Sequence, residues 1–171
     1  FHRHIAALLG LLVLTLAVLA ARHRSRGLLV VLGAGALVAA SIPLYMAQQY
    51  VVSSLLTGTG LALLLGAAWR WDNRDFSRIA SITLAVIVVQ AMLGMWTVTW
   101  LLKPVVVMAH LLGGLTTLSL LLWMAWRSTP GSWLVAGNAR LLKRLGVVGL
   151  VLLGVQIALG GWTSANYAAL A

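Results

Sequence analysis

Two histidines are the residues of this sequence best placed to do chemistry. His110 lies six residues after Pro104 in an otherwise apolar block, and His2 opens another apolar block. An ionisable side chain inside an apolar helix of membrane length is costly and usually marks a functional site. A neutral imidazole in that setting needs a hydrogen-bond partner or a metal ion. Spacing alone leaves both readings open for His110.

The two histidines lie at similar depths. His2 precedes the basic residue Arg22 by twenty positions, about 30 Å of helix, and His110 precedes Arg127 by seventeen, about 25 Å. Both helices therefore approach a basic loop in the same direction. Two imidazoles at one depth on facing helices are what bis-histidine ligation of haem iron requires. We predict His2 and His110 as metal ligands, whereas His4 is turned about 200° from His2 around the helix.

Three neighbouring residues extend this candidate site. Gly113 and Gly114 follow His110 on the same helical face, where missing side chains would let a flat macrocycle approach. Close helix packing through small residues explains the glycines equally well. Arg3 could pair with a haem propionate through its guanidinium group, or it could extend to the lipid headgroups.

Other kinds of site are excluded. Asp72 and Asp75 are the only carboxylates, and both lie in one polar loop. The absence of cysteine rules out a disulfide or a thiolate metal site within this chain. We find no phosphate-binding loop and no nucleophile beside a base, so no catalytic residue is assigned.

The composition of the chain indicates which secondary-structure elements hold these residues in place. Apolar residues make up 62% of the chain and charged residues only 8%, whereas a soluble domain carries about 25% charged residues. The apolar blocks, about 17 to 22 residues long, match a helix that crosses a bilayer. We therefore predict an all-α, polytopic transmembrane helical bundle of six spans, namely residues 4–21, 27–46, 51–69, 79–100, 104–126 and 145–162.

The basic residues indicate orientation and partner. Three loops, at 22–26, 70–78 and 127–144, hold ten of the twelve basic residues. The positive-inside rule places these loops in the cytoplasm and both chain ends outside. The net charge of +10 would suggest nucleic acid in a soluble protein. Because the cations lie mainly in short loops, we expect the lipid bilayer as partner and no nucleic acid.

An internal repeat links two of the spans. Residues 90–97 (QAMLGMWT) return as residues 156–163 (QIALGGWT), with five of eight positions identical. Both copies lie near the outer end of a span that runs outward, so the predicted repeat is parallel, with its axis along the membrane normal.

Four stretches together resemble the haem A synthase family of the proteobacterial type. They are FHR at 1–3, QAMLGMWTVT at 90–99, KPVVVMAHLLGG at 103–114 and QIALGGWTSANYAALA at 156–171. The resemblance covers roughly residues 1–26 and 76–171, and the last stretch is the most distinctive.

The resemblance implies a membrane oxidoreductase of eight helices in two similar halves, each with a histidine pair near the outer face of the bacterial inner membrane. One half carries haem b, and the other receives haem o, which a haem O synthase supplies. The enzyme oxidises the C8 methyl group of haem o to a formyl group and gives haem a; its electron acceptor is unknown. By position, His2 and His110 match the pair of the N-terminal half, the half assigned to substrate.

The resemblance also predicts how the chain is organised. We expect a fragment of a longer protein, because the family's first helix and an acidic residue would precede Phe1, and its second histidine pair would follow Ala171. Residues 1–171 are interpreted as a single transmembrane domain. Within it, residues 27–75 form an inserted helical hairpin, and residues 79–126 and 145–171 are parts of the two related halves.

Two other functions remain open at this stage. The same histidine pair would suit a membrane cytochrome b that carries haem for electron transfer without modifying it. A small transporter is the third possibility, since the repeat is parallel and places Gln90 and Gln156 within spans.

Overall fold

The described part of the chain is all-helical in the computed structural model. It comprises residues 2–72, 75–129, 131 and 138–168, without the side chains of residues 2, 3, 167 and 168. No strand occurs within these residues. The helices are α1 (His2–Ala21), α2 (Gly27–Met46), α3 (Tyr50–Arg70), α4 (Ser77–Thr99), α5 (Pro104–Ser128) and α6 (Ala139–Ala168).

All six of these helices are long and apolar enough to cross a membrane. Lipid offers no hydrogen bonds to the backbone, so a chain this apolar must satisfy its N–H and C=O groups within helices. The prediction of an all-α bundle of about six spans is confirmed, and the protein is a multi-pass membrane protein.

Only α6 departs clearly from its predicted bounds of 145–162. At its start, the side-chain oxygen of Asn138 accepts a hydrogen bond of 3.1 Å from the backbone N–H of Leu141, which caps the helix. Near its end, the Thr163 hydroxyl donates to the carbonyl of Gly160 at 2.8 Å. Asn138 therefore caps the start of α6, whereas the Thr163 hydroxyl bonds back to a carbonyl inside the helix. Residues on both sides of the predicted span are helical rather than loop.

The helices form two compact units, residues 1–89 and residues 90–171. In the first unit, buried hydroxyl groups connect α2 to α3. Ser53 donates to the carbonyl of Ser41 and Thr57 donates to the Ser41 hydroxyl, both at 2.9 Å. A Cβ on Gly60 would lie 3.1 Å from the Ala34 carbonyl oxygen. Small residues therefore bring α2 and α3 close together, as a helical hairpin requires.

An ionic cluster joins the two ends of the predicted insertion at 27–75. The Arg24 guanidinium pairs with Asp72 and, at 2.9 Å, with Asp75, and donates to the Ser77 hydroxyl at 3.1 Å. In the same unit, Gly10 of α1 faces Ile87 of α4. The chain thus leaves and rejoins the α1–α4 region at one place, and the inserted hairpin at 27–75 stays a prediction.

Candidate functional site

A tight reversal between α4 and α5 brings two helices of the second unit side by side. At the end of α4, the N–H of Leu102 donates to the Thr97 carbonyl at 2.9 Å, and Leu101 has a φ of 51°. This is the hydrogen-bond pattern of a Schellman helix end. Pro104 then starts α5, where its fixed φ and missing N–H fit the first turn. The chain therefore returns antiparallel, and α5 passes residues 90–99.

Aromatic residues mark this reversal. The rings of Trp96 and Trp100 stack with centroids 5.1 Å apart and planes 3° apart, and the Lys103 ammonium lies 5.5 Å from the Trp100 ring. Trp100 is about half exposed. Such amphipathic rings are typical of the membrane interface, so the reversal lies at the edge of the hydrocarbon region.

The imidazole of His110 packs against Gly94 of α4. A Cβ atom placed on Gly94 would lie 3.2 Å from Cε1 and 3.5 Å from Nε2 of the ring. This spacing is tighter than ordinary van der Waals contact, so a side chain at position 94 would press on the ring. Gly94 therefore provides a notch that holds the half-buried histidine.

One helical turn further into the membrane, the roles of the two helices are exchanged, and a side chain of α4 packs against a glycine of α5. Gln90 lies one turn before Gly94 on α4, and its amide fills the space that a side chain on Gly113 of α5 would occupy. Gly114, the second glycine of the predicted site, has no atom of another residue around its absent Cβ. Each helix thus presents one polar side chain and one glycine notch, and the two pairs interlock.

Two atoms of this arrangement are buried without hydrogen-bond partners, Nε2 of Gln90 and Nδ1 of His110. Gln90 is only 9% exposed. A buried polar group left unpaired costs about 1–3 kcal/mol, so such groups are retained where a ligand or a movement pairs them. An imidazole with one nitrogen awaiting a partner fits one axial position of a haem iron, with iron on the other nitrogen.

The second copy of the repeat has different surroundings. Gln156 is exposed, and Gly160 meets no other residue among those described. The contact between α6 and α5 instead involves Gly161, where a Cβ would lie 2.5 Å from Sδ of Met108. The second copy therefore packs α6 onto α5 without bringing its glutamine to a histidine.

The structure describes the remaining predicted site residues to different extents. α1 begins at His2, but the side chains of His2 and Arg3 lie outside the described part of the structure, so their roles stay predictions. His4 is exposed. The described residues contain no group of three or more histidines and carboxylates able to hold a metal ion.

The two carboxylates are engaged elsewhere, in the ionic cluster of the first unit. Burial by itself raises the pKa of Asp75, but the hydrogen bonds from Ser77 and Arg24 together outweigh burial and lower that pKa below its ordinary value of 3.8. The hydrogen bonds to Asp72 and Asp75 raise the pKa of Arg24. These groups are charged at neutral pH and stabilise a loop, so they do not serve the histidine site.

Sequence reasoning missed Gln90 and Gly94 as neighbours of the histidine. Both belong to the repeat, where a glutamine and a glycine four residues apart share one helical face. That spacing was the available signal, and it identified the face. It could not identify what the face contacts, which depends on the reversal before Pro104.

Comparison with known proteins identifies the family of the chain. The family model described as cytochrome oxidase assembly protein matches residues 1–171. A heme A synthase from Shewanella oneidensis is 52% identical over 88 residues, which are 50% of this chain and 26% of that protein. The chain therefore matches about a quarter of the length of this curated relative. No solved structure matches the chain. Because the family model covers the whole sequence, the chain belongs to the cytochrome oxidase assembly protein family.

Proposed function

We propose that this chain is part of a haem A synthase, an oxidoreductase that converts the C8 methyl group of haem o into a formyl group. One observation carries the proposal: His110 lies in a glycine notch of α4 with its Nδ1 atom buried and unpartnered. The family match and the relative named heme A synthase support the same activity.

The residues have distinct roles in this proposal. Nε2 of His110 is one axial ligand of the haem o iron, and His2 is the second, on the strength of their similar depth in the sequence. Arg3 pairs with a propionate, and the helical face of Gly113 and Gly114 lies beside the macrocycle. Haem b, as the resident cofactor, belongs to the second half of the family's fold.

The number of electrons and protons released in the oxidation indicates which partners the reaction needs. Oxidising a methyl group to a formyl group removes four electrons and, with water as the source of oxygen, releases four protons. A separate electron acceptor must therefore exist, and a haem O synthase must supply the substrate. Bound haem iron supplies the redox chemistry, while the chain supplies ligands, orientation and a dry environment.

The proposed location is the bacterial inner membrane, with the basic loops in the cytoplasm. The supporting observation is the concentration of ten of twelve basic residues in three alternate loops. In this orientation the α4–α5 reversal and the histidine site lie toward the outer face.

The test is to express the protein that carries this chain together with a haem O synthase and to identify the extracted haems by chromatography. We expect His110→Ala to abolish haem a, because the iron loses a ligand. His4→Ala is the matched control and should leave haem a unchanged, since His4 is exposed. Undiminished haem a in the His110 variant would refute the proposal. Bound haem without any haem a would favour a cytochrome b, and absence of bound haem would favour a transporter.

A further inference from the structure

Gln90 is the buried polar residue that the proposed function leaves without a role. It is 9% exposed, its Nε2 atom has no hydrogen-bond partner, and its amide lies in the notch at Gly113. A glutamine needs partners for its amide when water is excluded. Lipid-facing placement does not explain it, because the side chain points into the contact between two helices. The amide is therefore available to form a hydrogen bond when a ligand binds nearby.

His110 also has a buried atom without a hydrogen-bond partner. A histidine that binds a metal through one ring nitrogen almost always donates the other N–H to an acceptor, which fixes the ring and increases its basicity. Nδ1 of His110 is buried, and no described group accepts from it. The site therefore lacks an acceptor that an iron-bound histidine normally has.

The interlocking geometry puts the missing acceptor within reach. His110 contacts Gly94, and Gln90 lies one turn away on the same face of α4. One helical turn rises about 5.4 Å, which is comparable to the length of an extended glutamine side chain.

We propose that Gln90 is a positioning residue for His110: when iron binds Nε2 of the histidine, the Gln90 amide leaves the Gly113 notch and its Oε1 atom accepts the Nδ1–H. The movement pairs Nδ1 of His110 and frees the glycine face for the macrocycle. This inference rests on the proposed function, because it requires a haem at His110.

The experiment uses the full protein purified with its haem and follows the haem signal that His110→Ala removes. Gln90→Leu deletes the acceptor with little change in size, and Gln90→Glu keeps one. Gln49→Leu is the matched control, since it makes the same change at an exposed position before α3, outside the repeat. The measurements are the midpoint potential by optical redox titration, the electron paramagnetic resonance spectrum of the ferric form, and haem retention.

Gln90→Leu should weaken haem retention by about tenfold, as loss of a group bonded to a metal ligand commonly does. It should also raise the midpoint potential, because a less basic imidazole stabilises ferric iron less. Gln90→Glu should retain haem with a potential at or below that of the natural protein. Gln49→Leu should change neither quantity.

The outcomes separate this inference from the proposed function. If both Gln90 variants keep the natural potential and spectrum while His110→Ala removes the haem signal, the role of Gln90 is overturned and the function stands. If His110→Ala keeps the full haem signal, the proposed function is refuted, and the inference about Gln90 is refuted with it. Should Gln90→Leu fail to fold, Gln90→Glu decides alone: a midpoint potential above that of the natural protein would contradict the inference, because a carboxylate acceptor should lower it.

Discussion

The two copies of the repeat carry nearly the same residues in different surroundings. In the first copy, Gln90 is buried and Gly94 holds the ring of His110. In the second copy, Gln156 is exposed and Gly160 meets no other described residue. Within the described residues, the same glutamine and glycine thus face a histidine in the first copy and an open helix face in the second. In the first copy, α5 supplies the histidine and the glycine that complete the contact.

This contrast explains why a motif is weak evidence of function by itself. A glutamine and a glycine one turn apart give a helix a polar projection and a notch on one face. Chemistry follows only where the opposite helix supplies a matching pair, as α5 does with His110 and Gly113.

The strongest test of the difference between the two copies is to replace the corresponding glycine in each copy with a larger residue. We expect Gly94→Leu to lower the free energy of unfolding by about 1–3 kcal/mol, the usual cost of overpacking, and to displace His110 from its position. Gly160→Leu in this chain should instead raise stability by about 0.5–1 kcal/mol, because the side chain enters open space and a helical glycine is replaced. Thermal unfolding in detergent measures both. Equal losses would show that the copies are equivalent.

A finer test compares the two adjacent glycines of α5. Alanine is more stable than glycine in a helix by about 0.5–1 kcal/mol, so Gly114→Ala, with open space around its Cβ, should raise stability by that amount. Gly113→Ala should lose this gain, because its Cβ would displace the Gln90 amide. The measurement is the difference between the two unfolding midpoints. An equal rise in both variants would mean that Gln90 does not occupy the notch.

The smallest expected effect is a dependence of stability on pH. It should not involve either copy of the repeat. The pKa of Asp75 is lowered in the folded chain, so its contribution is present above the ordinary pKa of about 3.9 and is lost as the pH falls through the folded value. The effect is small, since the Asp75 side chain is 42% exposed.

Stability measured against pH checks this expectation. Asp75→Asn should remove the part of the acid dependence that belongs to this group and should leave the His110 haem signal unaltered at neutral pH. A changed haem signal in this variant would contradict the separation of the ionic cluster from the histidine site.

Sequence alone determined most of the architecture. Apolar blocks of membrane length leave the backbone no option but helices, so all six spans were predictable, with α2 at its observed bounds of 27–46. The ends of α6 were not predictable from hydropathy, because Asn138 caps a start that lies outside the apolar block and polar residues such as Thr163 continue the helix beyond it. His110 was identifiable because an ionisable residue stands out among apolar ones.

Only the tertiary structure decided what His110 contacts. The reversal before Pro104 sets the register of α5 against α4, and a shift of one residue would rotate every side chain by about 100° around its helix. That register puts Gly94 against the imidazole and the Gln90 amide against Gly113. Likewise, the sequence showed Arg24, Asp72 and Asp75 as separate loop charges, and only folding brought them together across the hairpin. Hydropathy fixes which segments are helices, whereas packing between helices fixes which side chains meet.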